Sequence, residues 1–145
     1  MAKSLVEELN HLLSDFHIFY QNVRGFHWNI KGKRFFELHV KFEEYYTEAL
    51  TNIDEIAERI LTIGGRPLHT FESYLATSDL KVYKDVSTDE ACVAAVKEQL
   101  EGLIKQENIV KDLAGEAGDN ETEDMMIGLI NVQQKTIWML DSWLS

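Results

Sequence analysis

The sequence is poor in the residues that interrupt helices and in the residue that cross-links chains. Only one of its 145 residues is proline and eight are glycine, the two residue types that most disfavour a helix interior. Its single cysteine, Cys92, excludes an intrachain disulfide and is typical of proteins in a reducing cytoplasm. These scarcities favour a few long helices in a cytoplasmic protein, with Cys92 as a small packing residue.

Basic residues are also scarce. There are 14 Lys and Arg against 25 Asp and Glu, and the net charge is −11. Nucleic-acid-binding proteins usually carry a basic patch, and here Lys3 is the only basic residue before the first predicted helix, while the chain ends directly after the last. No apolar run reaches membrane-spanning length, and the N-terminus has no signal-peptide core. The sequence therefore predicts a protein that attracts cations and binds neither DNA nor membranes.

Apolar residues recur at helical spacing in four long stretches. The capping box that begins at Ser4 starts the first helix, which is expected to run to about Asn29. The second begins at Phe35 and ends at Gly64-Gly65. A capping box at Ser87 starts the third, which runs to Leu113 and is interrupted by Gly115 and Gly118; Asp119 or Asn120 caps the fourth. Residues 69–75 read as a short helix inside the long connection 65–87.

The connections define the architecture. The four helices are joined by a short connection, then a long crossover, then a second short connection. This order predicts a ferritin-like four-helix bundle, with the short helix in the crossover between the second and third helices. We see no strand pattern and no internal repeat, so the fold class is all-α. Residues 1–145 are expected to form one domain.

Two histidines flank the turn between the first two predicted helices. His27 lies five residues before Gly32 and His39 seven residues after it. In an antiparallel hairpin these positions lie roughly 8 and 10 Å from the bend, so the two imidazoles can approach one another.

Two carboxylates lie on one face of the second helix, since Asp54 and Glu58 form an i,i+4 pair. Asp54 is roughly 22 Å along that helix from His39, and metal–ligand bonds are only about 2 Å long. A single chain cannot bring His39 and Asp54 to one ion. Either Asp54 and Glu58 are an ordinary solvated face, or an antiparallel second chain brings them to the histidines twice across a two-fold axis. Two imidazoles and two carboxylates suit Fe(II), with zinc, cobalt and manganese as competitors.

The remaining histidines predict no site. His11 follows Glu8 in a Glu-x-x-His element, which ordinary ferritin-like di-iron sites use twice. No histidine occurs after His69, so a second copy is missing and an intrasubunit di-iron site is excluded. We interpret His11, His17 and His69 as packing or surface residues.

Three segments together resemble the Dps family, the miniferritins. They are Arg24-Gly25-Phe26-His27-Trp28-Asn29-Ile30-Lys31-Gly32, Phe36-Glu37-Leu38-His39, and Asp54-Glu55-Ile56-Ala57-Glu58-Arg59-Ile60 with Gly64-Gly65. The motif covers about residues 24 to 65, and the helix pattern extends the likeness over the whole chain.

The resemblance implies a hollow dodecameric shell. Iron is then oxidised at sites on the two-fold interfaces, usually by hydrogen peroxide rather than oxygen, and ferric oxide is stored inside. By position, it implies that His27 and His39 of one subunit and Asp54 and Glu58 of its partner bind iron. Glu43 matches a position that serves a second iron or supports the site.

It also implies roles for two further groups. Trp28 matches an aromatic residue beside the site, which either intercepts oxidising equivalents or packs at the interface. Near the start of the fourth helix the family has acidic pores, for which Asp119, Glu121, Glu123 and Asp124 are candidates, with helix capping as the other reading. Two other functions stay open, namely a DNA-compacting starvation protein and a metal-free helical interaction protein.

Overall fold

The computed structural model, which describes residues 4–145, is built of five helices. They are α1 (Leu5–Asn29), α2 (Phe35–Thr62), α3 (Phe71–Thr77), α4 (Asp89–Glu116) and α5 (Asn120–Leu144). No strand occurs between residues 4 and 145. The four long helices and the short crossover helix confirm the predicted all-α, ferritin-like bundle. Lys3, used above in the argument against DNA binding, lies outside the described residues.

Side-chain caps start most of the helices. Ser4 Oγ accepts a hydrogen bond from Glu7 N at 3.1 Å, and Asp119 Oδ1 accepts one from Thr122 N at 3.0 Å. The cap of α4 is Thr88 and not Ser87, since the Thr88 hydroxyl accepts from the amide of Ala91. Each of these bonds satisfies an amide that has no partner inside its helix.

The predicted break at Gly115 was wrong. α4 continues through Gly115 to Glu116, and the chain turns at Gly118, whose φ of +72° is a conformation that glycine adopts easily. Gly115 itself is exposed, and a Cβ there would meet only the carboxylate end of the flexible Glu123 side chain, at 2.5 Å, so the packing of α4 and α5 does not require a glycine at this position.

The core follows the apolar stripes of the helices. α1 is the most buried helix and packs against α2, α4 and α3. Its Leu9, Leu12, Phe16 and Val23 are buried together with residues of α2 and α4. Further members of this one core are Phe42, Ile53, Ile56, Ile60, Cys92, Val96, Leu100, Leu103, Val110 and Met126.

Polar side chains of α1 bind the backbone of the crossover. Asp15 Oδ1 accepts hydrogen bonds from Ser78 Oγ at 2.6 Å and from Asp79 N at 3.0 Å. Asn22 donates to Lys81 O and accepts from Tyr83 N. These contacts satisfy amides and carbonyls that would otherwise be buried without partners, so a crossover with little secondary structure can lie on the bundle.

One carboxyl group lies inside the bundle. Glu107 on α4 is 0% exposed, and its Oε2 accepts a hydrogen bond from Gln133 Nε2 at 2.8 Å. Burial raises the pKa of Glu107 to about 8, against the smaller opposing effect of the Gln133 hydrogen bond. Glu107 is therefore mostly protonated in the folded protein at neutral pH.

We expect Glu107→Gln to remove a pH dependence of stability. Because the folded pKa of about 8 exceeds the ordinary value of 4.5, this group's stabilising contribution is complete below about pH 4.5 and is lost as pH rises through about 8. The variant should gain a few kcal/mol in free energy of unfolding relative to the parent between about pH 5 and pH 9. Urea denaturation across that range measures it. Glu101→Gln, an exposed change on the same helix, should track the parent, and parallel profiles for all three proteins would refute the interpretation.

Candidate metal centre

The end of α1 and the start of α2 bring His27 and His39 together. The two rings stack with centroids 3.8 Å apart and an interplanar angle of 12°. Gly32, with a φ of +126°, lies in the turn that reverses the chain between the helices. The two imidazoles that the sequence places at similar heights in the hairpin are neighbours in the fold.

Each histidine binds the other's backbone. His27 Nδ1 lies 2.6 Å from His39 O, and His39 Nδ1 lies 2.7 Å from His27 O. A carbonyl oxygen can only accept, so both Nδ1 atoms donate, and in the neutral form of each ring Nε2 keeps a lone pair. An imidazole anchored through Nδ1–H to a carbonyl is the arrangement that metal-binding histidines use to fix tautomer and ring orientation.

The surroundings of the pair are aromatic on one side and acidic on the other. Phe35 stacks on His39 with centroids 4.8 Å apart, and the Tyr46 ring lies edge-on to His27 at 5.3 Å. Glu43 Oε1 lies 3.5 Å from His27 Nε2, so Glu43 is on the side of His27 where a metal would bind. Sequence reasoning missed Phe35 and Tyr46, although their spacings of four and seven residues from His39 put all three on one helix face.

Trp28 has no place in the core of its own chain. Its side chain is 58% exposed, and the Arg24 guanidinium lies 5.0 Å from the centre of its ring. A large exposed aromatic next to a buried histidine is typical of a surface that another protein chain covers.

Asp54 and Glu58 lie on the exposed face of α2. A hydrogen bond between the two carboxyl groups, together with the charge of Asp54, raises the pKa of Glu58 above its usual value. Two carboxylates this close repel unless a proton or a cation lies between them. A divalent cation bound between the two carboxylates would relieve that repulsion.

One chain does not bring the two halves together. α2 is continuous from His39 to Asp54, a rise of roughly 22 Å for fifteen residues. Within residues 4–145, no three or more His, Cys, Asp or Glu residues are grouped so that they could hold a metal ion. The histidine pair and the carboxyl pair are therefore separate in one chain, and we call them candidate half-sites.

An apolar seam on α2 runs between the half-sites. Phe36, Val40, Leu50 and Leu61 are all exposed on this helix. With the intervening Glu43, Thr47, Asp54 and Ala57 they recur at alternating spacings of four and three residues, the pattern of a helix face that packs against another helix. We call these eight positions the α2 seam.

The acidic cluster at the start of α5 has mixed roles. Asp119 caps the helix and forms an ion pair with Arg59 at 2.8 Å. Burial favours a higher pKa for Asp119, but the hydrogen bonds from Thr122 and the Arg59 charge outweigh it and lower the pKa. The capping interpretation therefore applies to Asp119, whereas Glu121 and Asp124 are exposed.

The other histidines and Cys92 have local partners. His11 Nε2 lies 3.1 Å from Asp79 Oδ2, and His17 stacks on Tyr74 at 3.8 Å, where burial lowers the pKa of His17 to about 4. Burial and the charge of Asp89 raise the pKa of Cys92 to about 11, so its thiolate is disfavoured.

Comparisons with known proteins show the family of this chain. The model of the ferritin-like domain matches residues 6–145. The chain is 40% identical to a "DNA protection during starvation protein" of Porphyromonas gingivalis, over 96% of this chain and 87% of the relative. It is 38% identical to "DNA protection during starvation protein 2" of Bacillus anthracis, over 100% and 99% of the two chains.

Solved structures give the same result. A Dps protein from Vibrio cholerae O1, described as a member of a broad superfamily of ferritin-like diiron-carboxylate proteins, has a TM-score of 0.96 and 44% identity over 97% of this chain and 89% of its own. Dps from Staphylococcus aureus has a TM-score of 0.94 and 39% identity, with 99% of each chain covered. Between residues 4 and 145 no helix is long and apolar enough to cross a membrane. The chain belongs to the Dps family of ferritin-like proteins.

Proposed function

We propose that this protein is a ferroxidase and iron store of the cytoplasm. It binds Fe(II) between two-fold-related subunits of a dodecameric shell, oxidises it with hydrogen peroxide or oxygen, and keeps the ferric oxide inside. The observation that carries the proposal is the histidine pair, whose reciprocal Nδ1–carbonyl contacts leave two Nε2 lone pairs for a metal. Iron is the substrate and the stored product here, not a resident cofactor.

The register of the α2 seam supports a two-fold site. Suppose that two α2 helices pack antiparallel about a two-fold axis near Thr47. Each residue then faces the residue of the second copy that lies equally far on the other side of the axis. His39 then faces Asp54 of the second copy, and Phe35 faces Glu58. The same register places Phe36 against Ala57 and Glu43 against Leu50, so two of the exposed apolar residues of the α2 seam, Phe36 and Leu50, would be covered as the half-sites close. A two-fold axis makes each such site twice.

The donor groups suit iron in both oxidation states. His27 and His39 bind Fe(II) as neutral imidazoles, and the Asp54 and Glu58 carboxylates of the second copy lower the energy of the added charge of Fe(III). Coordination positions that protein atoms leave open admit the oxidant. Glu43, 3.5 Å from His27 Nε2, can contribute to a second iron position.

The electron balance explains the protective value of such a site. Two ferrous ions give one electron each, and with two protons one molecule of hydrogen peroxide becomes two molecules of water. Because the electrons arrive as a pair, no hydroxyl radical is released. Ferric oxide then nucleates on acidic surface inside the shell.

The other two functions are less well supported. Two relatives are named for DNA protection during starvation. Sequence-independent DNA binding, however, depends on basic residues that neutralise phosphates, and this chain has a net charge of −11. A metal-free interaction bundle would not need two histidines with matched tautomers.

One sample can test the proposal. We expect an anaerobic Fe(II) titration to show saturable binding, light scattering to give the mass of a dodecamer, and peroxide to oxidise the bound iron faster than oxygen does. A monomer that still oxidised iron at a saturable site would contradict the inter-subunit arrangement. A protein without saturable Fe(II) binding would be an interaction bundle.

A further inference from the structure

A third histidine has the same anchoring contact as the pair. His69, in the crossover, is exposed, and its Nδ1 lies 3.3 Å from the backbone carbonyl of Pro67. The contact is longer than those of His27 and His39, but its consequence is the same. With the proton on Nδ1, the Nε2 lone pair of His69 is free for a metal.

The backbone that carries His69 is held in place by α1 and α3. Asn10 Nδ2 donates to Arg66 O at 3.0 Å, and Asn10 Oδ1 accepts from Leu68 N at 2.8 Å. The Tyr74 hydroxyl donates to Leu68 O at 2.9 Å. These three hydrogen bonds order the backbone of residues 66–68, which directly precedes His69.

The turn after α2 directs this segment back along the bundle. Gly64 has a φ of +90°, and Gly65 packs so closely on α1 that a Cβ there would lie 2.7 Å from Val6 Cγ1. Gly65 N also donates to Ile60 O at 2.8 Å. The chain therefore leaves the helix in one direction only, which brings residues 67–69 beside the last turns of α2.

His69 lines the same groove as the carboxyl pair. The groove has a volume of 790 Å³ and is bounded by the outer face of α2, the crossover and α3. Its lining includes Asp54, Glu58 and His69, and we call it the carboxylate groove. His17 also lines it, but the His17 ring is stacked on Tyr74, so His69 is the imidazole available to a ligand.

We propose that His69 is a further iron ligand, supplied to the second iron position by the subunit that carries Asp54 and Glu58. This inference rests on the proposed ferroxidase function. In the proposed site the first iron has four donor residues, His27 and His39 together with the second copy's Asp54 and Glu58. A second ion held by Glu43 alone would have only one donor residue and would bind weakly. The Glu58 carboxylate and the Nε2 atom of His69, which line one groove, would add an oxygen and a nitrogen donor to Glu43, a mixed set that suits a divalent first-row metal.

Cobalt(II) binding tests this without turnover, because bound Co(II) absorbs in the visible and is not oxidised by the protein. We expect the parent protein to bind two Co(II) ions per inter-subunit site and His69→Ala to bind one, with the tighter ion unaffected. His69→Cys should restore the second ion and add a thiolate-to-cobalt charge-transfer band. Glu72→Gln, an exposed change on α3 outside the groove, serves as the control and should bind as the parent does.

A second variant tests the role of the ordered backbone. Asn10→Ala leaves every ligand in place but removes two of the three hydrogen bonds to residues 66–68, and it should weaken the second Co(II) ion by roughly tenfold or more. The same number of ions with the same affinities in the parent and in His69→Ala would overturn the inference, as would a single ion per site in the parent. If the parent bound no Co(II), or if His27→Ala left both ions bound, the proposed ferroxidase site itself would be wrong.

Discussion

The protein in which His27 and His39 are both replaced by alanine is expected to lose fast, peroxide-dependent iron oxidation. The change removes both imidazole nitrogens from each site and leaves the carboxyl pair alone. Loss of a single supporting contact typically costs 10–100-fold in metal affinity or activity, so we expect the loss of two ligands to reduce the initial rate by roughly a hundredfold or more. Stopped-flow absorbance of the ferric product measures it, with Fe(II) in slight excess of the sites and peroxide as oxidant.

The control for this variant is Glu44→Ala. Glu44 is an exposed residue of α2 that forms an ion pair with Lys41 at 2.8 Å, and an exposed pair of this kind contributes little to stability. Circular dichroism and light scattering should show that both variants keep the helical content and mass of the parent. Parent-like oxidation rates in the double histidine variant would remove His27 and His39 from the site.

Mixing two inactive proteins is expected to restore activity. One carries His27→Ala and His39→Ala, and the other carries Asp54→Ala and Glu58→Ala. Each fails alone because every site lacks one half. After unfolding and refolding together, some interfaces join a chain with intact histidines to a chain with intact carboxyl groups, and such an interface has one complete site.

The recovered activity has a predictable size. In a random equal mixture about half of the two-fold pairs combine the two variants, and one of the two sites in each such pair is complete. About a quarter of the parent activity per subunit should therefore return, with each variant refolded alone as the blank. If His27, His39, Asp54 and Glu58 acted within one chain, the mixture would be as inactive as its components.

Local sequence signals were sufficient for the helices because each signal acts over one or two turns. The Ser4 cap, the Gly64-Gly65 stop and the Asp119 cap all lie where they were predicted. Gly115 was misjudged as a helix breaker, because α4 continues through it to Glu116 and the chain turns only at Gly118. A glycine in a local pattern does not by itself show whether a helix ends there or continues for another turn.

The hydrogen-bond partners of the polar residues of α1 could not be predicted from the sequence. Asn10, Asp15 and Asn22 interrupt an apolar stripe, and each could as well face solvent. Their partners lie 56 to 64 residues away in the crossover, so nothing nearby in the chain shows that they are buried or bonded. His69 is exposed, as its interpretation as a packing or surface residue allows, but nothing near it in the chain shows that Asn10 and Tyr74 bind the backbone beside it.

Sequence by itself determined the helical bundle and the separation of the histidine pair from the carboxyl pair, since helical rise puts His39 and Asp54 too far apart for one ion. Tertiary structure decided the tautomers of His27 and His39, the pairing of Asp119 with Arg59, and the groove shared by His69 with the carboxyl pair. The physical reason is the separation along the chain over which each interaction acts. Helical periodicity and capping act within a few residues, whereas a hydrogen bond between helices exists only after packing has brought its two ends together.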